Sequence, residues 1–181
     1  MSKKRFIKTF FKHPAGFHVH IHRPLAEDNI RLRPVRIFDA PFIHSGFVHD
    51  DFLAANGLTR PITSSWYLLW WWIKKRYLFS YCILINGKRA GFLGLHSMQP
   101  CSTAEISLVL FEKGMRRKGY GRRAFNLFVH DLAKHKSVRK IVVRIAKDNF
   151  IYLPFCKKLG FEKIHGRDGA RTLIYSRNVF E

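Results

Sequence analysis

Arg116-Arg117-Lys118-Gly119-Tyr120-Gly121, running on into Arg122-Arg123-Ala124-Phe125-Asn126-Leu127-Phe128-Val129-His130-Asp131-Leu132-Ala133-Lys134, is the stretch that decides the fold. In its second half Phe125, Phe128, Val129, Leu132 and Ala133 recur at i, i+3, i+4, i+7 and i+8, which predicts an amphipathic helix over 121–134. In its first half Gly119 and Gly121 free the backbone from Cβ interference, and Gly permits positive φ. A helix that opens on such a loop presents unpaired N–H groups and the positive end of its dipole, a ready anion site. The loop has no third glycine to make it a dinucleotide fingerprint and no GK[ST] to make it a Walker loop. Taken alone, it reads equally well as a turn carrying solvated charge.

Working outward, 105–111 is a strand entering this loop, and the β-branched run 138–146 is a strand leaving the helix. Asn86-Gly87 is the strongest short hairpin signal and joins strands predicted at 77–85 and 89–96. A first strand is predicted at 30–33, a short helix within 35–47, and a second helix over 64–76 with Thr63 or Ser64 as its cap. A helix over 150–159 closes at Gly160, and strands at 161–165 and 172–177 flank a Gly166-Arg167-Asp168-Gly169 turn. Mostly antiparallel strands with helices between them and one β-α-β crossover define an α+β class. Residues 1–29 differ in character. They contain no acid before Glu27, a basic amphipathic helix ending near Pro14, and an alternating Phe17–His22 strand with one histidine face. We therefore divide the chain into an N-terminal extension, 1–29, and a domain, 30–181.

The 181 residues carry 33 Lys and Arg against 12 Asp and Glu, a formal charge of +21, while 47% of the residues are hydrophobic. The apolar fraction permits a true core and excludes disorder throughout. The charge points to polyanions: RNA or a ribosome, acidic protein, an anionic membrane surface, or a phosphorylated cofactor. Residues 112–147 alone hold twelve Lys or Arg against Glu112 and Asp131, more than one cofactor uses. A polyamine acceptor is disfavoured, since its pocket should be acid-rich. The longest apolar run, 66–73 (WYLLWWWI), is far short of the roughly 20 residues of a spanning helix, so no transmembrane segment is expected. Lys8 and Lys12 interrupt what a signal peptide would keep apolar. Cys82, Cys101 and Cys156 are scattered without CxxC spacing and read as reduced thiols in a cytoplasmic protein. His18, His20 and His22 have no Cys or acidic companions and read as a polar edge rather than a metal site. Trp66, Trp70, Trp71 and Trp72 read as core, with an aromatic pocket wall as the alternative.

Two motifs in order give the sequence a family likeness. Arg116–Gly121 matches Q/R-x-x-G-x-G/A, and Asn149 leads through a helix to Lys157-Lys158-Leu159-Gly160-Phe161. Over about residues 30–177 the chain resembles the GNAT superfamily of acyl-CoA-dependent N-acetyltransferases. The hairpin ending Gly87-Lys88-Arg89-Ala90-Gly91-Phe92 is similar to that family's second and third strands, and Ile30-Arg31-Leu32-Arg33 to its first. The resemblance implies a mixed, mostly antiparallel sheet flanked by helices, whose splayed central strand pair binds acetyl-CoA as co-substrate. It further implies that backbone amides of Arg117, Lys118, Gly119, Tyr120, Gly121 and Arg122, with Arg116 before them, cradle the pyrophosphate. The main chain from Val109 to Phe111 would pair with pantetheine, an N–H near Val109 would polarise the thioester carbonyl, and Asn149 would hydrogen-bond the pantetheine arm.

In this scheme a primary amine attacks the thioester directly, with no acyl-enzyme. An alkylamine arrives protonated, with a pKa of about 10, so a base is required. Glu105, eleven residues before Arg116, stands where histone-type members carry a catalytic glutamate; otherwise it is a strand residue facing solvent or pairing with a nearby cation. Many members place a tyrosine four residues before the motif glycine to protonate the departing thiolate, and here that position is Cys156. The thiol is shorter than a phenol, so Tyr152 or water is the substitute, and a packed core residue is the simpler reading of Cys156. The resulting expectation is N-acetyl transfer to an amine of unknown identity. The rival is a non-catalytic acyl-CoA-binding or RNA- or membrane-associated module on the same fold.

Overall fold

The structure, a computed structural model, describes residues 23–55, 79–96, 103–135, 138–147, 149–165, 169 and 172–180. The helix and histidine strand expected before residue 23, the tryptophan-bearing helix at 64–76 and most of the 166–169 turn lie outside the described residues.

Among the described residues eight strands form one sheet in the order β1-β2-β3-β4-β5-β6-β8-β7. They are β1 (Leu25–Glu27), β2 (Ile30–Pro34), β3 (Ser80–Ile85), β4 (Lys88–His96), β5 (Thr103–Leu110), β6 (Lys140–Ala146), β7 (Glu162–Lys163) and β8 (Thr172–Asn178). Every pairing is antiparallel except β5 with β6, which are joined by a helical crossover. The sheet thus starts upstream of the expected first strand: β1 folds back on β2 through a turn in which Asp28 takes φ 48°. The β3–β4 turn has φ 50° at Asn86 and 77° at Gly87, the doubly positive pair that a two-residue hairpin needs.

Strand alternation sends one set of side chains to each face. On one face Leu32, Tyr81, Ile83, Leu93, Ala104, Ile106 and Ile141 meet Ala124, Phe125, Phe128 and Leu132 of helix α3 (Tyr120–His135). These are the stripe residues of the predicted helix; the Phe128 ring lies 5.8 Å from that of Tyr81 and 6.4 Å from that of Phe79. Helix α4 (Tyr152–Lys158) adds Cys156 to the same core, followed by Leu159 and Phe161, and Gly160 ends it at φ 78°.

The opposite face is covered over β4 by helix α1 (Ala40–Val48), followed by the short α2 (Asp50–Ala55). Val35, Ala40, Ile43 and Phe92 are buried there, with Phe42, Phe47 and Phe111 packed around them edge-to-face. A Cβ on Gly46 would strike the Phe111 ring, so the missing side chain lets α1 lie against the end of β5. The helix is seated by Asp39, which is wholly buried. One oxygen of Asp39 receives Arg33 Nη2 at 2.7 Å and Arg89 Nε at 3.1 Å, and the other receives the Arg36 N–H at 2.8 Å.

Candidate cofactor and active site

The sheet opens where the parallel pairing of β5 with β6 ends. β5 and β6 pair over Thr103↔Lys140, Ala104↔Ile141 and Glu105↔Val142; beyond this β5 runs on to Leu110 and β6 to Ala146 without pairing to each other. Two strands that part in mid-sheet leave backbone groups facing a gap, and such groups need partners. On its other side β5 stays bonded to β4: Phe111 donates its N–H to Ala90 O at 2.9 Å, and Phe92 lies opposite Val109. Antiparallel alternation therefore turns the amide of Val109, like that of Phe111, toward β4. The amides facing the gap are those of Leu108 and Leu110, either side of the expected donor.

Above the gap stands the glycine loop. Arg117 takes φ 62° and Gly119 φ 81°, so the chain reverses sharply before α3 begins at Tyr120. Among the described residues the N–H groups of 117–122 meet no backbone carbonyl; the first bond into the helix is Arg123 N–H to Gly119 O, 3.1 Å. A Cβ on Gly119 would meet nothing within 4 Å, whereas one on Gly121 would lie 3.3 Å from the Phe155 ring. Gly121 therefore serves helix packing, and Gly119 faces open space. The cations divide in the same way. Arg116 bonds back to the carbonyls of Leu110 (2.9 Å) and Phe111 (3.1 Å) and braces the loop on β5. Arg123 ties the helix to Asp28 at 2.8 Å, and Tyr120 lies 3.5 Å from Asn29. Arg117, Lys118 and Arg122 are exposed around the amides.

Glu105 sits at the apex of the gap, on the last paired position of β5. Its carboxylate accepts from Arg144 Nε at 2.9 Å and is 16% exposed, so of the readings open to it in sequence the cation pairing is present. His96 lies directly opposite Glu105 on β4, and its Nε2 is 3.0 Å from Ser107 Oγ. Register places His96, Glu105, Ser107 and Arg144 on one face of the sheet, the face that α1 covers further along β4. Sequence reading missed His96, Ser107 and Arg144. No motif marks them, and only the register brings them together; the alternation of 105 and 107 was the one available signal.

On the other side of the gap Asn149 Oδ1 accepts the Tyr152 N–H at 3.0 Å, capping the first turn of α4. Tyr152 and Cys156 are one helical turn apart on α4. Burial pushes the Cys156 thiol up to about 12, against which the neighbouring Tyr152 hydroxyl acts. Burial, then the neighbouring Cys156, raises Tyr152 further still. Both groups therefore keep their protons at neutral pH. Cys156 is 1% exposed and packs in the core.

Residues 46–161 match the model of the "Acetyltransferase (GNAT) family". An N-acetyltransferase 9-like protein of Schizosaccharomyces pombe is 34% identical over 65 residues, 33% of this chain and 30% of that protein, so the match spans about a third of the relative's length. A domain from Methanocaldococcus jannaschii superposes with a TM-score of 0.72 at 19% identity, covering 82% of this chain and 97% of that one. An acetyltransferase from Salmonella typhimurium that modifies the N-terminal serine of 50S ribosomal protein L7/L12 gives 0.71 at 15% identity, covering 86% and 99%. A ribosomal L7/L12 alpha-N-protein acetyltransferase in complex with coenzyme A gives 0.73 at 16% identity, covering 87% and 99%.

Proposed function

The chain belongs to the GNAT acetyltransferase family, whose enzymes use acetyl-CoA, and from that premise we propose that it transfers the acetyl group to a primary amine by direct attack. The parting of β5 and β6 beneath the Gly119 loop is the observation that carries this reading. The amides of 117–122 receive the pyrophosphate, helped by exposed Arg117, Lys118 and Arg122. The pantetheine arm fills the gap along Leu108–Leu110, and an amide there stabilises the oxyanion.

Glu105 takes a proton from the ammonium, directly or through water. The neutral amine then forms the C–N bond at the thioester carbonyl, the C–S bond breaks, and the thiolate is reprotonated. The second proton of the nitrogen balances that step, with Tyr152 as the protein group nearest in kind to a donor and Cys156 as its packing partner. The acceptor is an amine on an acidic or ribosome-associated protein. The charge of +21 supports this, as does the similarity to structures of ribosomal L7/L12 acetyltransferases. The free thiols of Cys82 and Cys156 support a cytoplasmic setting. Among the described residues no helix is long and apolar enough to cross a membrane.

The test is a thermal-shift titration with acetyl-CoA against ATP and 3′,5′-ADP, followed by thiol release with candidate amines. Selective stabilisation by acetyl-CoA, amine-dependent thiol release, at least a tenfold loss in Glu105→Gln and little loss in Cys156→Ala are the expected results. Selective binding without release from any amine points to a non-catalytic acyl-CoA-binding module.

A further inference from the structure

Resting on that reading of the reaction, we infer that His96 is a positioning and proton-relay residue, receiving through Glu105 the proton that the acceptor amine must lose. Three observations lead to it. The first is register: His96 on β4 and Glu105 on β5 are direct cross-strand partners, and their side chains share a face. Paired Cβ atoms at such positions are about 5 Å apart, within reach of a proton hand-over directly or across one water. The second is the fixing of the ring by Ser107, whose Oγ is 3.0 Å from Nε2. In the tautomer whose Nε2–H donates to Ser107 Oγ, Nδ1 is the basic nitrogen that takes the proton, and the Nε2–H bond persists in the imidazolium. The third is the pairing of Glu105 with Arg144 at 2.9 Å. That pairing holds the carboxylate on the face it shares with His96.

The sequence of transfers balances. The ammonium gives one proton to the Glu105 carboxylate, and the resulting carboxyl passes it to neutral His96. Glu105 returns to Arg144, and the imidazolium releases the proton to solvent. The amine, now neutral, attacks, and its remaining excess proton leaves with the thiol. One proton is released per acetyl transferred. Imidazole suits this work because its charge change lies close to neutral pH. The charged and titratable groups around it are identifiable. On the same sheet face are Glu105, Arg144 and Lys140. Farther across the face is Asp39, already neutralised by Arg33 and Arg89. Helix α1 carries His44, and His49 follows it.

The experiment uses the full chain, acetyl-CoA and a short peptide with a free N-terminal serine, measuring thiol release from pH 5.5 to 9. In His96→Ala, kcat/KM is expected to fall about tenfold to a hundredfold near neutrality, within the range of acid–base assistance. The acidic limb of the wild-type profile should vanish, and added imidazole should restore activity in His96→Ala while leaving Glu105→Gln unrescued. The thermal shift given by acetyl-CoA should be unchanged, showing an intact fold and cofactor site. Ser107→Ala should lower activity less and move the acidic limb. A wild-type pH profile in His96→Ala overturns the relay. So does a loss of activity that imidazole does not restore and that leaves the limb in place, since that is a structural role. A wild-type chain that binds acetyl-CoA yet acetylates no peptide overturns the transfer reading and the relay together, which separates the two failures.

Discussion

At Gly119 two demands fall on one residue, and they are separable. Its φ of 81° costs any L-residue roughly 1 kcal/mol, yet a Cβ there meets no protein atom within 4 Å. The open space beside the amides is where the pyrophosphate is proposed to lie. Gly119→Ala should therefore fold with a loss of about 1 kcal/mol in urea denaturation while weakening acetyl-CoA binding at least tenfold by calorimetry. Equal tightness of binding would remove the loop from the cofactor site. Arg117 shows the opposite allocation, holding φ 62° without the dispensation of glycine, beside amides that the turn leaves exposed. The glycines and cations of this loop were legible in sequence because the motif lies in consecutive residues. The division of labour among them was not: nothing in Arg116 as a letter says that its guanidinium is spent on the carbonyls of Leu110 and Phe111.

Among the elements, α3 was readable from its stripe alone, since a 3.6-residue period names the buried face before any partner is known. Helix α1 was readable only as a short helix, because what seats it is not periodic. Asp39 draws on Arg33 of β2 and Arg89 of β4, residues that only the folded sheet brings together. Such a buried group is costly to break: Asp39→Asn leaves Arg33, 15% exposed, without its counter-charge. The expected loss is about 3–5 kcal/mol in chemical denaturation, with near-ultraviolet signal from the Phe42, Phe47, Phe92 and Phe111 cluster fading first. A loss under 1 kcal/mol would mean that the aromatic cluster seats α1 unaided. The same distinction governs the site. Its loop is a motif, whereas the His96, Glu105, Ser107 and Arg144 row is a product of register across three strands.

For the whole molecule, the thiols buried on the two faces of the sheet set an alkaline limit. Burial raises Cys82 and Cys156 from 9.0 to about 12 each. Above pH 9 the unfolded chain sheds these protons while the folded chain retains them, so stability is intact below pH 9 and declines as pH rises toward 12. By pH 10 the loss is roughly 1 kcal/mol per thiol, and Cys82→Ala and Cys156→Ala should each flatten the slope of stability between pH 8 and 10 by that amount. An unchanged slope in both variants would assign the limit elsewhere. The excess of Lys and Arg is common to all three proteins, so its net repulsion cancels from the comparison. The parted strands have a consequence at this scale too. Among the described residues three register pairs join the five-stranded part of the sheet to the three-stranded part. An extended arm laid in the gap would act as a ninth strand contributed by a small molecule. On the proposed reading, cofactor and architecture would be one system: the sheet would be completed each time the donor binds and interrupted each time the product leaves.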